Sequence, residues 1–174
     1  MAKSEPEQRT PWWKPGMRHA AQRDLAGAIY GLILATSVIA VSRQYTHDAG
    51  VTAITVVVTA SVFWLAHVYA GVLASGLQLR HMPRWDEVRH IFDEQWPLVQ
   101  AGILPTAILV LGPVGILEDD TAQTAAIAAC LVELGAIGLL VARAAGARGI
   151  LVAVSGAISL SFGVVVIVLK ILVH

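Results

Sequence analysis

Cysteine occurs once in this chain of 174 residues, as Cys130, and charged residues make up only 14%. A lone cysteine excludes an intramolecular disulfide and confines any cysteine-based metal cluster to an assembly of several chains. The scarcity of charge, set against 56% hydrophobic residues and a mean hydropathy of +0.69, argues against an ordinary soluble domain. The length leaves no room for a separate soluble catalytic domain. Also missing are a phosphate loop of the GxxxxGK[ST] type, an HExxH zinc site, a nucleophile elbow and a glycine-rich nucleotide loop after a strand. A membrane-embedded enzyme is therefore the least favoured class, and no catalytic residue, metal site or cofactor is expected. No internal repeat pairs one half of the chain with the other. The opening residues do not read as a cleavable signal, because the apolar segment that starts near Leu25 is too long and no small-residue cleavage site follows it.

What the chain has instead is apolar runs. Residues 51–77 contain no Asp, Glu, Lys or Arg and a single histidine, His67. At helical rise they extend ~40 Å, enough to cross a hydrocarbon core of ~30 Å with some tilt. Apolar residues surround the whole cylinder, so the helix must be shielded from water on every side. Four further segments repeat the pattern. The predicted fold is an all-α membrane protein with five transmembrane helices at about 25–42, 51–77, 97–115, 122–142 and 149–172. Residues 1–24 form a polar amino-terminal segment, and 25–174 form the membrane domain.

The segments between the spans carry their own signals. Pro6, Pro11 and Pro15 prevent a continuous helix at the beginning, so a helix is expected only from Gly16, with Trp12 and Trp13 suited to the headgroup layer. Gly27 and Gly31 form a GxxxG that suits close approach of another backbone. Ala66, Ala70 and Ala74 form a second small-residue row, and Ser155, Ser159 and Gly163 a third. In the link after the second span, Trp85, Val88, Phe92 and Trp96 recur at helical spacing with charges on the other faces, which predicts a short interfacial amphipathic helix over 84–96. Pro97 then opens the third span, and Pro105 predicts a kink inside it. Asp120 or Thr121 is the expected cap of the fourth span.

Lys and Arg are distributed asymmetrically. The amino-terminal segment and the second and fourth loops hold ten of the twelve, while Arg43 and Lys170 fall on the other side. The positive-inside rule then puts the amino terminus in the cytoplasm and, after five crossings, the carboxyl terminus outside. Nine arginines to three lysines, with abundant Ala, Val and Gly, point to a GC-rich bacterial genome and hence to an inner membrane. The basic flanks serve orientation, and nucleic-acid binding has no support.

Two strongly titratable side chains fall deep in the predicted spans, His67 in the second and Glu133 in the fourth. Each lies about ten residues, ~15 Å, from the cytoplasmic end of its helix. Ionised groups at that depth cost several kcal/mol and often mark ion paths. Thr36, Ser37, Thr106, Ser159 and Ser161 share the depth and are expected to form a supporting polar layer. Two functional readings stay open: passage or coupling of a proton or small cation at a buried His67–Glu133 pair, and a non-catalytic scaffold or accessory subunit held together by an interhelical hydrogen bond. Cys130 reads as a small packing residue, His81 and His90 as solvated interfacial histidines. The expected partners are the bilayer and other subunits, identical copies or members of a larger membrane complex, since five helices of small residues enclose little volume. The topology has a direct check. A cysteine replacing Asp119 should react with an impermeant thiol reagent from outside, and one replacing Arg148 only from the cytoplasm; labelling of both from one face would refute the odd number of crossings between them.

Overall fold

The computed structural model describes residues 14–79 and 81–173, and the side chains from Asp24 to residue 168 other than those at 78–80, 162, 166 and 167. They form six helices: α1 (Lys14–Tyr45), α2 (Ala49–Leu79), α3 (Trp85–Gln100), α4 (Ile103–Val110), α5 (Asp119–Ala144) and α6 (Ile150–Val173). Among the described residues there is no strand. The protein is all-helical, and three of its helical stretches, Asp24–Tyr45, Ala49–Leu77 and Asp119–Ala144, are long and apolar enough to span a membrane. Trp12 and Trp13 lie outside the described residues. The described part of the first helix already includes Lys14 and Pro15, two residues before the expected start at Gly16.

Short, locally satisfied connections turn the chain. Between α1 and α2 only Thr46, His47 and Asp48 intervene. Asp48 closes the start of α2: its carboxylate accepts the Val51 N–H at 3.0 Å, one of the amides a helix start leaves open, and its carbonyl accepts the first intrahelical bond, from Thr52 N–H at 3.1 Å. At the start of α3 the Arg84 N–H donates to the Glu87 carboxylate at 2.8 Å. The cap of α5 is Glu118, not Asp120 or Thr121, so that Asp119 and Asp120 lie within its first turn. Negative charge there complements the helix dipole, and the Asp120 carboxylate is left to pair elsewhere.

The predicted division at Pro97, between an interfacial helix over 84–96 and a span over 97–115, does not match the observed helix boundaries. α3 runs through Pro97 to Gln100, and the interruption comes at Ala101–Gly102. Pro105 explains the position, because a proline ring displaces the carbonyl four residues earlier, here that of Ala101. The chain tightens there, with Gly102 N–H bonded to Val99 O at 3.0 Å. Pro113 acts likewise at the end of α4, where Gly112 N–H turns to Leu109 O at 3.1 Å. α4 alone has 8 residues and is too short to cross a bilayer.

Nor does α3 stand apart from the bundle. Together with α4 it runs antiparallel along α2, as the successive neighbours show: Gly71 beside Ile91, Trp64 against Phe92 and Trp96, and Ala49 against Gly112. Ile91 and Leu98 are buried, while Asp86, Arg89, His90 and Asp93 remain exposed. The face used against α1 and α2 is centred on Ile91 and Leu98 rather than on the expected row, of which Trp85 and Trp96 stay exposed.

The GxxxG of α1 finds its partner in this column. A β-carbon at Gly31 would run into the Leu98 carbonyl, whereas one at Gly27 would sit 3.5 Å from the Leu98 nitrogen, an ordinary contact. The core continues from there along Leu32, Ala35 and Ile39 of α1, Ala49, Ala53 and Val56 of α2, Leu109 of α4, and Ala122, Ala126, Cys130 and Leu134 of α5. These recur every three or four residues, one stripe per helix. The third small-residue face lies on α5: a β-carbon at Gly138 would meet the Ser159 side chain, one at Gly156 would meet Leu139, and one at Gly163 Leu131 and Leu134. Ser155 adds a hydrogen bond to the Gly138 carbonyl at 3.1 Å.

The two glycines of α1 should therefore differ. Gly31→Ala forces α1 and α3 apart and should destabilise the protein by ~1–3 kcal/mol, the usual range for overpacking, while Gly27→Ala should leave the melting temperature in detergent nearly unchanged. Equal effects at the two positions would contradict the described packing.

Candidate functional site

His67 and Glu133 are placed in different surroundings. The His67 Nδ1–H donates to the Phe63 carbonyl one turn earlier, at 2.8 Å, and the ring meets Tyr30 of α1 edge-on with centroids 5.5 Å apart. Tyr30 also lies 6.4 Å from the Phe63 ring. On the adjacent side of α2, Trp64 takes Phe92 and Trp96 of α3 at 5.1 Å and 5.9 Å, both near-perpendicular. These tilted and edge-on geometries are the favoured ones for aromatic pairs. His67 therefore belongs to an aromatic seam that joins α2 to α1 and, through Trp64, to α3.

Glu133 sits on α5, partly buried, and its Oε2 is enclosed without a hydrogen-bond partner. No hydrogen bond joins it to His67. Its titratable neighbour is Cys130, one turn earlier and fully buried, and the Thr36 hydroxyl of α1 is within hydrogen-bonding reach of the Cys130 sulfur. The Thr36 hydroxyl itself donates to its own helix, at Leu32 O, 2.7 Å. Helical spacing puts Ala126, Ala129, Cys130, Ala136 and Ile137 around the carboxyl, all small but the last.

The other members of the expected polar layer face different spaces. Ser37 lines a groove of about 480 Å³ between α1 and α2, with Thr55 and Thr59. Thr106 lines a groove of about 310 Å³ between α2 and α4. Ser159 packs at Gly138, and Ser161 is exposed and donates to Ile158 O at 2.8 Å. Of the expected group, the structure brings Thr36 to the vicinity of Glu133 through Cys130 and disperses the rest. Among the described residues no three His, Cys, Asp or Glu side chains converge as metal ligands would.

One polar centre has no counterpart among the expected residues. Gln123 of α5 is fully buried, and its Nε2 donates to the Thr46 carbonyl and to the Thr52 hydroxyl, both at 3.3 Å. Thr52 in turn donates to Asp48 O at 3.0 Å. One amide thus ties α5 to the α1–α2 connection and to α2. Nearby, His47 and Asp120 form an exposed pair at 2.9 Å. The signal for Gln123 is present in the sequence, an amide within an otherwise small and apolar run, but it does not identify the residue that the amide meets.

Comparison with known proteins adds no assignment. The chain matches no family model, and no curated protein or solved structure is significantly similar to it.

Because a buried interhelical amide is hard to replace, Gln123→Ala should lower stability by ~1 kcal/mol, at the scale of an interhelical hydrogen bond in a membrane protein. His47→Ala, which removes only a solvent-screened pair, should change the melting temperature little. The reverse order would show that the exposed pair, and not Gln123, holds this end of the bundle.

Proposed function

We propose that the chain is a five-crossing inner-membrane protein that takes up a proton or a small cation at Glu133. The observation that carries this reading is the enclosed, unpartnered Glu133 Oε2 within a long apolar helix. A carboxyl used only for structure at such depth is expected to have its oxygens satisfied by neighbours. One that exchanges a proton or holds a cation needs an oxygen not committed elsewhere. His67, engaged with Phe63 and Tyr30, enters this reading as a neighbour in the bundle rather than as a ligand.

The five crossings would be α1, α2, the α3–α4 column, α5 and α6. The antiparallel run of α3–α4 beside α2 and the bias of Lys and Arg support that count. The same bias supports an amino terminus in the cytoplasm and a carboxyl terminus outside. An accessible row of small residues on α2, Ala66, Ala70 and Ala74, each exposed, supports association with another copy or another subunit, since such rows permit close helix contact.

The second reading, a scaffold or accessory subunit without transport of its own, is favoured by the aromatic seam and the Gln123 contacts, which hold helices in place and carry no chemistry. Flux separates the two. In proteoliposomes under an imposed pH or cation gradient, wild-type protein should exceed empty vesicles, Glu133→Gln should abolish most of the excess while the fold survives, and His67→Gln should retain most of it. Absence of wild-type flux under every gradient, with Glu133→Gln altering only the melting temperature, would replace the transport reading with the scaffold.

A further inference from the structure

The turn between α5 and α6 has a chemistry that the Glu133 site does not use. α5 ends at Ala144, and Gly146, at φ +83°, lets the chain reverse. The Ala147 N–H returns to Ala142 O at 2.9 Å and the Gly146 N–H to Arg143 O at 3.0 Å. The carbonyls that would make the end of α5 negative are thereby occupied. At the other side of the turn Gly149, at φ +60°, leads into α6 at Ile150. Of the first-turn amides of α6, Val152 N–H bonds to Gly149 O at 3.3 Å, which leaves those of Ile150 and Leu151 without an acceptor inside the helix.

Two guanidinium groups stand beside this helix start. Arg143 and Arg148 line one open cavity of about 540 Å³, whose remaining wall includes Leu139, Val152 and Ala153. Both arginines are exposed, and neither has an ion-pair partner among the described residues. The sequence holds no Asp or Glu after Glu133, so neither α6 nor the last part of α5 supplies a counter-charge. The nearest end of α1 carries Asp24, which is exposed and has no ion-pair partner among the described residues. One cavity thus combines two unneutralised guanidinium groups and open amides on one side with aliphatic side chains on the other.

We propose that this cavity binds a phosphate group through Arg143, Arg148 and the first amides of α6. Guanidinium groups meet phosphate oxygens with paired hydrogen bonds, and a helix start adds donors and positive potential. The cavity lies at the end of two apolar helices, the level at which lipid headgroups lie. Its aliphatic wall continues toward the membrane interior along Leu139 and Val152, as the chains of an anionic phospholipid would. The phosphodiester of such a lipid and a free phosphate share the same recognition chemistry.

The experiment uses the full chain in nanodiscs. In phosphatidylcholine discs with a minority of phosphatidylglycerol, native mass spectrometry of the released protein should show phosphatidylglycerol retained in preference. Two basic groups near anionic lipid are worth on the order of 30-fold in retention, so R143Q/R148Q should lose an enrichment of that size. R143K/R148K, which keeps the charge, should retain a substantial part. R84Q/R89Q, which removes the same charge from the α2–α3 connection and α3, should retain all of it. In pure phosphatidylcholine discs, inorganic phosphate is titrated against the same variants. Enrichment of phosphatidylglycerol that depends on Arg143 and Arg148 identifies a lipid headgroup as the source. Saturable phosphate binding with that dependence, without lipid enrichment, identifies a free anion. The proposal is overturned if wild-type protein neither enriches phosphatidylglycerol nor binds phosphate, or if R84Q/R89Q loses as much as R143Q/R148Q.

Discussion

Every backbone N–H and C=O in an apolar medium has to find its partner within the protein, and the α3–α4 column is where that requirement is hardest to meet. Prolines at 97, 105 and 113 each remove a donor from it. The chain responds by tightening, with amides reaching back three residues at Gly102, Leu111 and Gly112. A weakened column of this kind needs lateral support, and it receives that support along its length. Gly31 lets α1 approach the Leu98 carbonyl closely, Ile91 meets α2 at Gly71, and Trp64 closes on Phe92 and Trp96. The remaining helices can then be simple, because the irregular backbone is confined to a segment with neighbours on more than one side.

Polar side chains sort by the same requirement. Thr36, Thr55, Ser61 and Thr124 donate to carbonyls of their own helix four residues back, which satisfies the hydroxyl without reference to other helices. Gln123 and Ser155 instead bond across helices, to Thr46 and Thr52 and to Gly138, and so hold the bundle in register. Glu133 Oε2 does neither, and the Gln123 Oε1 and Trp64 Nε1 atoms are likewise buried without a partner. Of these three unpartnered atoms only the Glu133 oxygen belongs to an ionisable group, and the proposed uptake of a proton or cation rests on it. The two ends of the fold differ as well. Near Gln123, His47 of the α1–α2 connection pairs with Asp120 of α5, whereas Arg143 and Arg148 line a cavity with no ion-pair partner among the described residues.

Much of this was legible from residue type and spacing. The long apolar stretches in α1, α2 and α5 stand out because a residue's transfer into lipid depends mainly on its own chemistry. The small faces of α1 and α6 were visible as well, since a row of Gly, Ala and Ser is a local pattern. The helix break was misplaced at Pro97 because the effect of a proline depends on what can replace the lost bond, and Pro97 lies on a side of α3 that packs near α1 while Pro105 coincides with Gly102, where the chain can tighten. His67 and Glu133 stand out in the sequence as titratable groups within long apolar runs, but position along an axis does not give the direction in which a side chain points.

By itself, then, the sequence determined the helical class, the apolar stretches suited to a membrane and the faces capable of close contact, because these follow from composition and from a 3.6-residue period. Only the tertiary structure decided which faces meet. It set Gly31 against Leu98, the α6 face against Gly138, Gln123 against Thr52, and His67 against Tyr30 rather than Glu133. Those choices depend on the relative rotation of helices far apart in the chain, and rotation is settled by the joint packing of all neighbours, which no single helix encodes.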